Sequence, residues 1–228
     1  MMTLRAKIIA LSLGALLGAC AVEEAGSADR PQPQAQVDEP KTVKITQAQA
    51  QRLQAIMAPL IQKMDNPIPA SEVKMTVWDD PNINAANAGG GDFYVTTGLL
   101  AKANDTQLRG VMAHEVAHAD LGHVARTQRL ATGLQLGMIL LDQIYPGASA
   151  LTPVAGQLIV NAYTRREEHE ADAHGVELLK RTGQDGKKIV AGTLEWLAKS
   201  SEGGGGGGGF FSTHPATDDR IAAVQRLP

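Results

Sequence analysis

The stretch VMAHEVAHAD, residues 111–120, decides which fold to expect from this chain. It places His114, Glu115 and His118 in the pattern H-E-x-x-H. On a helix, histidines four positions apart lie about 40° apart around the axis and about 6 Å apart along it. Both imidazoles can therefore reach one zinc ion at about 2.1 Å. The glutamate stands beside the water that the ion activates, so the pattern predicts two metal ligands and one general base.

The residues around the pattern favour a buried helix over a solvated helix face that carries two idle histidines. They are small or apolar: Val111, Met112, Ala113, Val116, Ala117 and Ala119. Buried polar side chains need partners, and a metal ion would satisfy both histidines.

A catalytic zinc site uses three protein ligands and keeps one position open. The metzincin pattern would supply the third ligand with glycine at position 121 and histidine at 124, but this chain has Leu121 and Val124. The alternative is a carboxylate on a second helix. The segment TRREEHEADAHG, residues 164–175, offers Glu167, Glu168, Glu170 and Asp172. Glu168 and Asp172 share one helical face, so that one can bind zinc while the other hydrogen-bonds a ligand histidine. Spacing alone does not choose among the three glutamates.

Together, HEVAH and TRREEHEADAHG resemble the HtpX- and BepA-type zinc metallopeptidases, metallopeptidase family forty-eight. The second motif of that family, close to S/T-R-x-x-E-x-E-A-D-x-x-G, is matched by Thr164, Arg165, Glu168, Glu170, Ala171, Asp172 and Gly175. The resemblance implies that Glu168 is the third zinc ligand and that Asp172 supports the ligand set. It also implies an α+β fold of the gluzincin kind, mainly helical with a small sheet, and one zinc ion per chain.

Two further stretches carry the same resemblance, which covers about residues 45–228. Residues 84–100, NAANAGGGDFYVTTGLL, are similar to a glycine-rich family stretch but lack its usual proline. Residues 212–221, STHPATDDRI, match an element T-H-P-x-x-x-x-R-I, with Arg220 as its arginine. His123 fits a histidine that the family often carries, and we expect it to support the site rather than bind zinc.

The remaining histidines have open roles. We expect His169 and His174 to lie on the surface of their helix. His214 precedes Pro215 and follows the glycine run 203–209. It either stabilises the oxyanion, occupies the open position of zinc to hold the enzyme inactive, or merely begins the last helix.

The first residues have the layout of a secretory signal peptide, expected to span residues 1–19. Two cations, Arg5 and Lys7, precede an apolar run of about 11 residues, which is too short to span a bilayer. Leu17-Gly18-Ala19-Cys20 resembles a bacterial lipobox, which implies cleavage before Cys20 and lipid attachment to it. The residue that follows, Ala21, favours the outer membrane over the inner one.

Residues 20–42 are predicted to form a flexible tether, because they are polar, contain three prolines and lack apolar periodicity. The globular metallopeptidase domain is expected over residues 43–228. Removing residues 1–19 takes away two cations and no anion, so the formal charge falls from −3 to −5. Anchoring is therefore expected from the lipid rather than from a basic patch.

The composition fits a folded protein, with 43% hydrophobic and 20% charged residues. The formal net charge of −3 and the lack of a basic stripe argue against a nucleic-acid partner. A single cysteine excludes an internal disulfide.

Periodicity and breakers predict the remaining elements. Helices are expected at about 46–64, from Asn104 or Asp105 to about Leu130, and at about 155–181, 185–200 and 216–227. Strands are expected at 72–78, 82–87 and 92–96, with a turn at the glycines 89–91 and a mobile loop at the glycines 203–209. The apolar residues 130–160 are expected either to pack as two helices or to touch membrane.

The substrate can be predicted only as a class. If Asp92, Phe93, Tyr94 and Val95 form an exposed edge strand beside the zinc, a peptide can add to it with little regard to sequence. That mode suits unfolded or misassembled envelope proteins, as the resemblance also implies. The prediction is a lipid-anchored zinc endopeptidase of envelope quality control. Its rival is a chaperone-like module that assists outer-membrane protein assembly with latent cleavage.

Overall fold

The computed structural model describes residues 41–129, 132, 163–201, 209–215 and 219–228. The expected signal peptide, the lipidated Cys20, most of the tether, the apolar residues 133–160 and the glycines 203–208 lie outside that set. The described residues from Lys41 onward belong to one compact unit.

Among the described residues, six α-helices, three strands and a short 3-10 turn have defined bounds. In chain order these are α1 (Gln47–Ile61), β1 (Lys74–Trp78), β2 (Ala85–Gly89), β3 (Asp92–Thr96), α2 (Thr97–Lys102), α3 (Asp105–Asp120), α4 (Arg165–Arg181), α5 (Gly186–Ser201), the 3-10 turn Phe210–Ser212 and α6 (Asp219–Arg226). The predicted fold class, mainly helical with a small sheet, is confirmed.

Helix α3 begins where predicted but ends ten residues early. The Asn104 side chain accepts a hydrogen bond from the Gln107 amide, and the Gln107 side chain accepts one from the Asn104 amide, which closes a capping box. The prediction of one helix to about Leu130 is wrong, because Gly122 adopts φ +66° and breaks it. Left-handed backbone is open to glycine and costly for other residues. Helical turns resume over 123–129, so His123 lies beyond the break and not within α3.

Helix α4 begins later than predicted. Thr164 is extended (φ −73°, ψ 156°), and its hydroxyl accepts a hydrogen bond from the Glu167 amide. Glu167 in turn accepts from the Thr164 amide, which completes a second capping box. The expected helix therefore does not run continuously through Thr164, and the residues 155–162 lie outside the described set.

The sheet has the strand order β1-β3-β2, with β1 parallel and β2 antiparallel to β3. The expectation that β3 is an exposed edge strand is therefore wrong. Asp92, Phe93, Tyr94 and Val95 have a paired strand on both sides, and the side chains of Phe93 and Val95 are fully buried. Alternating apolar residues mark a strand but not its place in a sheet.

Helix α3 packs between the sheet and the helices α4 and α5, and two glycines allow the close approach. A Cβ at Gly175 on α4 would lie 3.3 Å from the Ala113 carbonyl oxygen. A Cβ at Gly110 on α3 would overlap the Thr193 side chain on α5. The aliphatic core surrounds these contacts, including Leu108, Val111, Met112, Val116, Leu178 and Leu194.

Within the described part of the chain, we find no helix with the length and apolar character that crossing a membrane requires.

Candidate active site

Three elements bring the candidate residues together. Helix α3 contributes His114, Glu115 and His118, helix α4 contributes Glu168, and the segment after the 3-10 turn contributes His214. All five side chains are buried, with residue exposures from 0% to 4%. Groups of this polarity at such depth need strong internal partners.

The imidazole and carboxylate atoms of His114, His118 and Glu168 converge on one point. His114 Nε2 and His118 Nε2 are 3.0 Å apart. The Glu168 carboxylate lies 3.5 Å from His114 Nε2 and 3.4 Å from His118 Nε2. Ligands bound tetrahedrally at 2.0–2.1 Å stand roughly 3.3 Å from one another. The donor set and its spacing therefore fit a metal ion held by two nitrogens and one oxygen.

His214 extends the same cluster. Its Nδ1 lies 3.3 Å from His114 Nε2 and 3.1 Å from Glu168 Oε1, again close to the edge of a tetrahedral shell. Its other nitrogen, Nε2, lies 3.3 Å from Glu115 Oε1. One side chain thus contacts two groups of the predicted ligand set and the predicted base.

Asp172 lies behind His114, where the sequence placed it. Asp172 Oδ1 is 3.0 Å from His114 Nδ1, the nitrogen on the far side of the ring from the cluster. Arg220 completes this side of the site. Its Nε and Nη2 donate to Asp172 at 2.7 and 2.8 Å, and its Nη1 lies 2.6 Å from Glu168 Oε2.

Sequence reasoning named Arg220 only as part of a matched motif and assigned it no role. The residue is 1% exposed and is the largest fully buried side chain among those described. Only the position of α6 reveals its contact with the carboxylates of α4. A buried cation beside two buried carboxylates neutralises charge that would otherwise oppose folding.

The side of His118 away from the cluster contacts two rings. His123 Nδ1 is 2.8 Å from His118 Nδ1, while His123 Nε2 is 3.3 Å from Glu170 Oε2. The ring of Tyr163 stacks on His118 with centroids 3.8 Å apart. His123 therefore lies where a supporting residue was predicted. Sequence reasoning missed Tyr163, whose only signal in the sequence is its position directly before the Thr164 cap.

His174 does not lie on the surface as predicted. Its side chain is 11% exposed, and its Nε2 lies 2.6 Å from Asp120 Oδ2 at the end of α3. Asp120 also accepts from the backbone amides of Asp65 and Asn66, so this cluster joins three parts of the chain. His169 is more open, at 32%, and lies 3.2 Å from Asp219.

Burial and neighbouring charges shift the pKa values of the site residues in different directions. Burial raises the pKa of Glu115, which the imidazoles of His214 and His114 partly offset. Burial opposes a charged His114, but the carboxylates of Glu168 and Asp172 outweigh it and raise its pKa to about 9. Burial and then the charge of His114 hold the pKa of His118 well below 6.5.

The pKa values of the carboxyl groups of Glu168 and Asp172 are lowered, whereas the pKa of the Tyr163 phenol is raised. Burial opposes the ionised forms of Glu168 and Asp172. At Glu168 the interaction with His114 outweighs the effect of burial and lowers the pKa. At Asp172 the interactions with Arg220 and then His114 outweigh the effect of burial, so the pKa of Asp172 is lowered as well. Burial, followed by the charge of Glu115, raises the pKa of Tyr163. The result is a buried site with two ionised carboxylates, Glu168 and Asp172, one weakly acidic base and a phenol that keeps its proton.

The strand edge beside the site belongs to β2 rather than β3. β2 pairs with β3 on one side, and helix α3 packs against it. The Asn87 backbone amide lies close enough to Glu115 to favour its ionised form.

Comparison with known proteins gives a consistent set of matches. The family model described as Peptidase family M48 matches residues 47–227. Metalloprotease YcaL of Escherichia coli (strain K12) is 26% identical over 174 residues, which cover 74% of this chain and 67% of YcaL. Metalloprotease LoiP of the same organism is 27% identical over 167 residues, covering 71% and 65%. Its beta-barrel assembly-enhancing protease is 32% identical over 156 residues, covering 63% and 32%. The chain thus spans about two thirds of the first two proteins and about one third of the third.

Proposed function

The chain belongs to peptidase family M48 and is a metal-dependent hydrolase of peptide bonds, and from this premise we propose that it is a zinc endopeptidase that degrades misfolded or misassembled cell-envelope proteins. The observation that carries the proposal is the spacing of His114 Nε2, His118 Nε2 and the Glu168 carboxylate, at 3.0 to 3.5 Å. That spacing matches the ligand shell of one small cation.

Zinc is the metal that the donor set suits best. Two imidazoles and one carboxylate are ligands of catalytic zinc sites. Carboxylate-rich oxygen shells, by contrast, suit magnesium or calcium, and thiolates are absent from this set. When bound, the zinc supplies a Lewis acid that polarises a peptide carbonyl and makes a water molecule acidic near neutral pH.

Glu115 is the general base of the proposed reaction. Burial raises the pKa of its carboxyl group, which brings its basicity closer to the operating pH. Its carboxylate takes the proton of the attacking water and then passes it to the amide nitrogen of the leaving peptide. The Asp172 carboxylate lies 3.0 Å from His114 Nδ1, on the side of the ring opposite Nε2, and is proposed to orient the imidazole so that Nε2 faces the ligand cluster.

His214 is the proposed fourth ligand of the resting enzyme. Its Nδ1 stands at 3.3 and 3.1 Å from two ligand atoms, the spacing that a fourth corner of the shell requires. Catalytic zinc needs that corner open for substrate. The position therefore favours inhibition over the alternative role, stabilisation of the oxyanion.

Replacing His214 separates the two roles. We expect His214→Ala to cleave an unfolded protein about tenfold faster than wild type or more, because the blocked position becomes available. Loss of cleavage with zinc retained would instead support the oxyanion role. An unchanged rate would contradict both.

The proposed substrate-binding strand is β2, whose outer edge has no paired strand among the described residues. A peptide that pairs with a strand edge is held by backbone hydrogen bonds, which are nearly independent of sequence. Only an unfolded or poorly assembled segment can offer an extended backbone. A protein named for beta-barrel assembly is among the relatives, which supports an envelope substrate.

The proposed location is the periplasmic face of the outer membrane, through a lipid on Cys20 after removal of residues 1–19. The support is the sequence LGAC at 17–20 with its preceding apolar run. Several acyl chains together anchor a protein firmly, so no basic patch is needed.

A second candidate function is binding without frequent cleavage, as a chaperone-like module in outer-membrane protein assembly. The position of His214 at the proposed fourth ligand position of zinc favours this binding function, since a blocked site can still bind an unfolded chain. Complementation of a deletion strain by Glu115→Gln distinguishes the two: rescue supports binding, and failure with normal expression supports cleavage.

The proposed function is tested by digestion of an unfolded, reduced protein with wild type and His214→Ala, with and without a chelator. We expect cleavage that the chelator abolishes and added zinc restores. Cleavage that survives complete removal of metal would contradict the proposal.

A further inference from the structure

Tyr163 is a titratable residue of the site to which the proposed reaction assigns no role. It lies directly before the Thr164 cap, and its backbone amide donates to the Thr213 carbonyl at 3.3 Å. Its ring stacks on the ring of His118, with centroids 3.8 Å apart and planes at 24° to each other. The start of α4 and the segment that carries His214 therefore place a phenol against a proposed zinc ligand.

The Tyr163 ring is displaced towards the side of His118 that faces the ligand cluster. His123 lies at Nδ1 of His118, away from the cluster, and the centroids of these two rings are 4.8 Å apart. The His214 ring is more distant from the His118 ring, at 5.3 Å. The Tyr163 ring nevertheless lies nearer to the His214 ring, at 5.2 Å, than to the His123 ring, at 6.2 Å. The phenol thus borders the corner of the site that His214 occupies.

The hydroxyl group of Tyr163 is a donor without an acceptor: no hydrogen bond joins it to another residue that the structure describes. A phenol keeps its proton at neutral pH, since its ordinary pKa is about 10. Burial and then the charges of Glu115, Glu168 and Glu167, in that order, raise this pKa further. Equal charges act more strongly from a shorter distance, so the hydroxyl lies towards the proposed base.

The proposed reaction needs a hydrogen-bond donor at this place. When the oxygen of the attacking water bonds to the carbonyl carbon, the π electron pair of the carbonyl group moves onto its oxygen, and donors aimed at that oxygen lower the barrier. Arg220 is already engaged with Asp172 and Glu168. His214 is the proposed fourth ligand of the resting enzyme. The Tyr163 hydroxyl is a donor that is still available.

We propose that the Tyr163 hydroxyl donates a hydrogen bond to the carbonyl oxygen of the bond being cleaved and stabilises the negative charge that develops there. This inference rests on the proposed function and adds a catalytic residue to it. The phenol keeps its proton throughout. The proton of the water passes to Glu115 and then to the leaving nitrogen, while the electron pair on the oxygen forms the carbonyl group again as the carbon–nitrogen bond breaks.

The first test removes the hydroxyl and keeps the ring, by Tyr163→Phe in the His214→Ala background. We expect kcat for an unstructured peptide to fall by at least about tenfold and by up to about 10²–10³-fold, the usual effect of losing one such donor. KM should stay within about twofold, because the contact forms only as the charge develops. Cleavage at the parental kcat with zinc bound would overturn the proposal.

Tyr94→Phe is the matched control for this substitution. Tyr94 lies on the central strand β3, and its ring stacks on Trp78 with centroids 4.5 Å apart. The control loses the same hydroxyl group from another stacked tyrosine, and its kcat should stay within about twofold of the parent. Equal losses of kcat in the two variants would overturn the proposal.

The second test separates catalysis from support of the His118 ring. Zinc affinity is measured by competition with a chelator for Tyr163→Phe and Tyr163→Leu. The phenylalanine ring can still stack on His118, so we expect Tyr163→Phe to bind zinc within about twofold of the parent and Tyr163→Leu to bind it more weakly. If phenylalanine weakens zinc binding as much as leucine does, the loss of cleavage has a structural cause and the proposal fails.

The third test uses a phosphonamidate peptide, whose tetrahedral anionic group resembles the transition state. Its inhibition constant should rise in Tyr163→Phe by about the factor by which kcat/KM falls, since such a compound gains the contacts made in the transition state. An inhibition constant that Tyr163→Phe leaves unchanged, with an active parent, would overturn the role of Tyr163 alone. A zinc-loaded parent that neither cleaves an unfolded protein nor binds the phosphonamidate would overturn the proposed function and this role with it.

Discussion

Replacing Arg220 by glutamine should destabilise the protein more than any surface charge change. Arg220 is 1% exposed and contacts Asp172 at 2.7 and 2.8 Å and Glu168 at 2.6 Å. Its loss leaves two buried carboxylates without their cation. Breaking a buried ion pair by removal of one partner costs about 3–5 kcal/mol. For a domain of this size each kcal/mol lowers Tm by about 2–4 °C, so Tm should fall by about 6–20 °C.

The assay is urea and thermal unfolding of metal-free protein, followed by circular dichroism. Arg166→Gln is the matched control, because its side chain is 87% exposed and pairs only within α4 with Glu170; its effect should stay within about 0.5 kcal/mol. Adding Asp172→Asn to Arg220→Gln should recover part of the loss, since one uncompensated charge disappears. An Arg220→Gln protein as stable as the control would refute the account of this buried network.

Three further predictions concern stability. Gly110→Ala should lower the free energy of unfolding by about 1–3 kcal/mol, because its methyl group would overlap Thr193. The control is Gly192→Ala, which has open space at its Cβ and should be neutral or stabilising by up to about 1 kcal/mol. Urea unfolding compares the two variants. Gly122→Ala should cost about 1–2 kcal/mol at φ +66°, and an unchanged midpoint would contradict the assigned backbone. Zinc at about 1,000 times its Kd should stabilise the stripped wild type by about 4 kcal/mol, and this gain should be largely absent in Glu168→Ala.

Local chemistry explains why much of the fold and site could be predicted. The capping residues Asn104 and Thr164 and the apolar face of α1 have short-range causes that a sequence displays. The four-residue spacing of His114 and His118 fixes their relation on any helix. Glu168, by contrast, could be chosen over Glu167 and Glu170 only through the family resemblance, because spacing leaves all three within reach.

The failures concern tertiary placement. The order of strands in the sheet depends on which edges meet, and the sequence of β3 does not encode its two neighbours. The burial of His174 depends on Asp120 and on the loop after α1, which lie far apart in the chain. The same holds for Arg220, whose contacts with Asp172 and Glu168 arise only when helix α6 meets α4. Gly122 ends α3 through its positive φ, although an isolated glycine inside a helical pattern does not always break a helix.

Substitution of Glu115 tests the central claim most directly. Glu115→Gln, made alone and in the His214→Ala background, should retain about one zinc per chain, because the residue is not a proposed ligand. Its cleavage of an unfolded protein should fall by about 10²–10⁴-fold relative to the parent with glutamate at 115, the usual contribution of a general base. Cleavage at the parental rate with zinc bound would contradict the account.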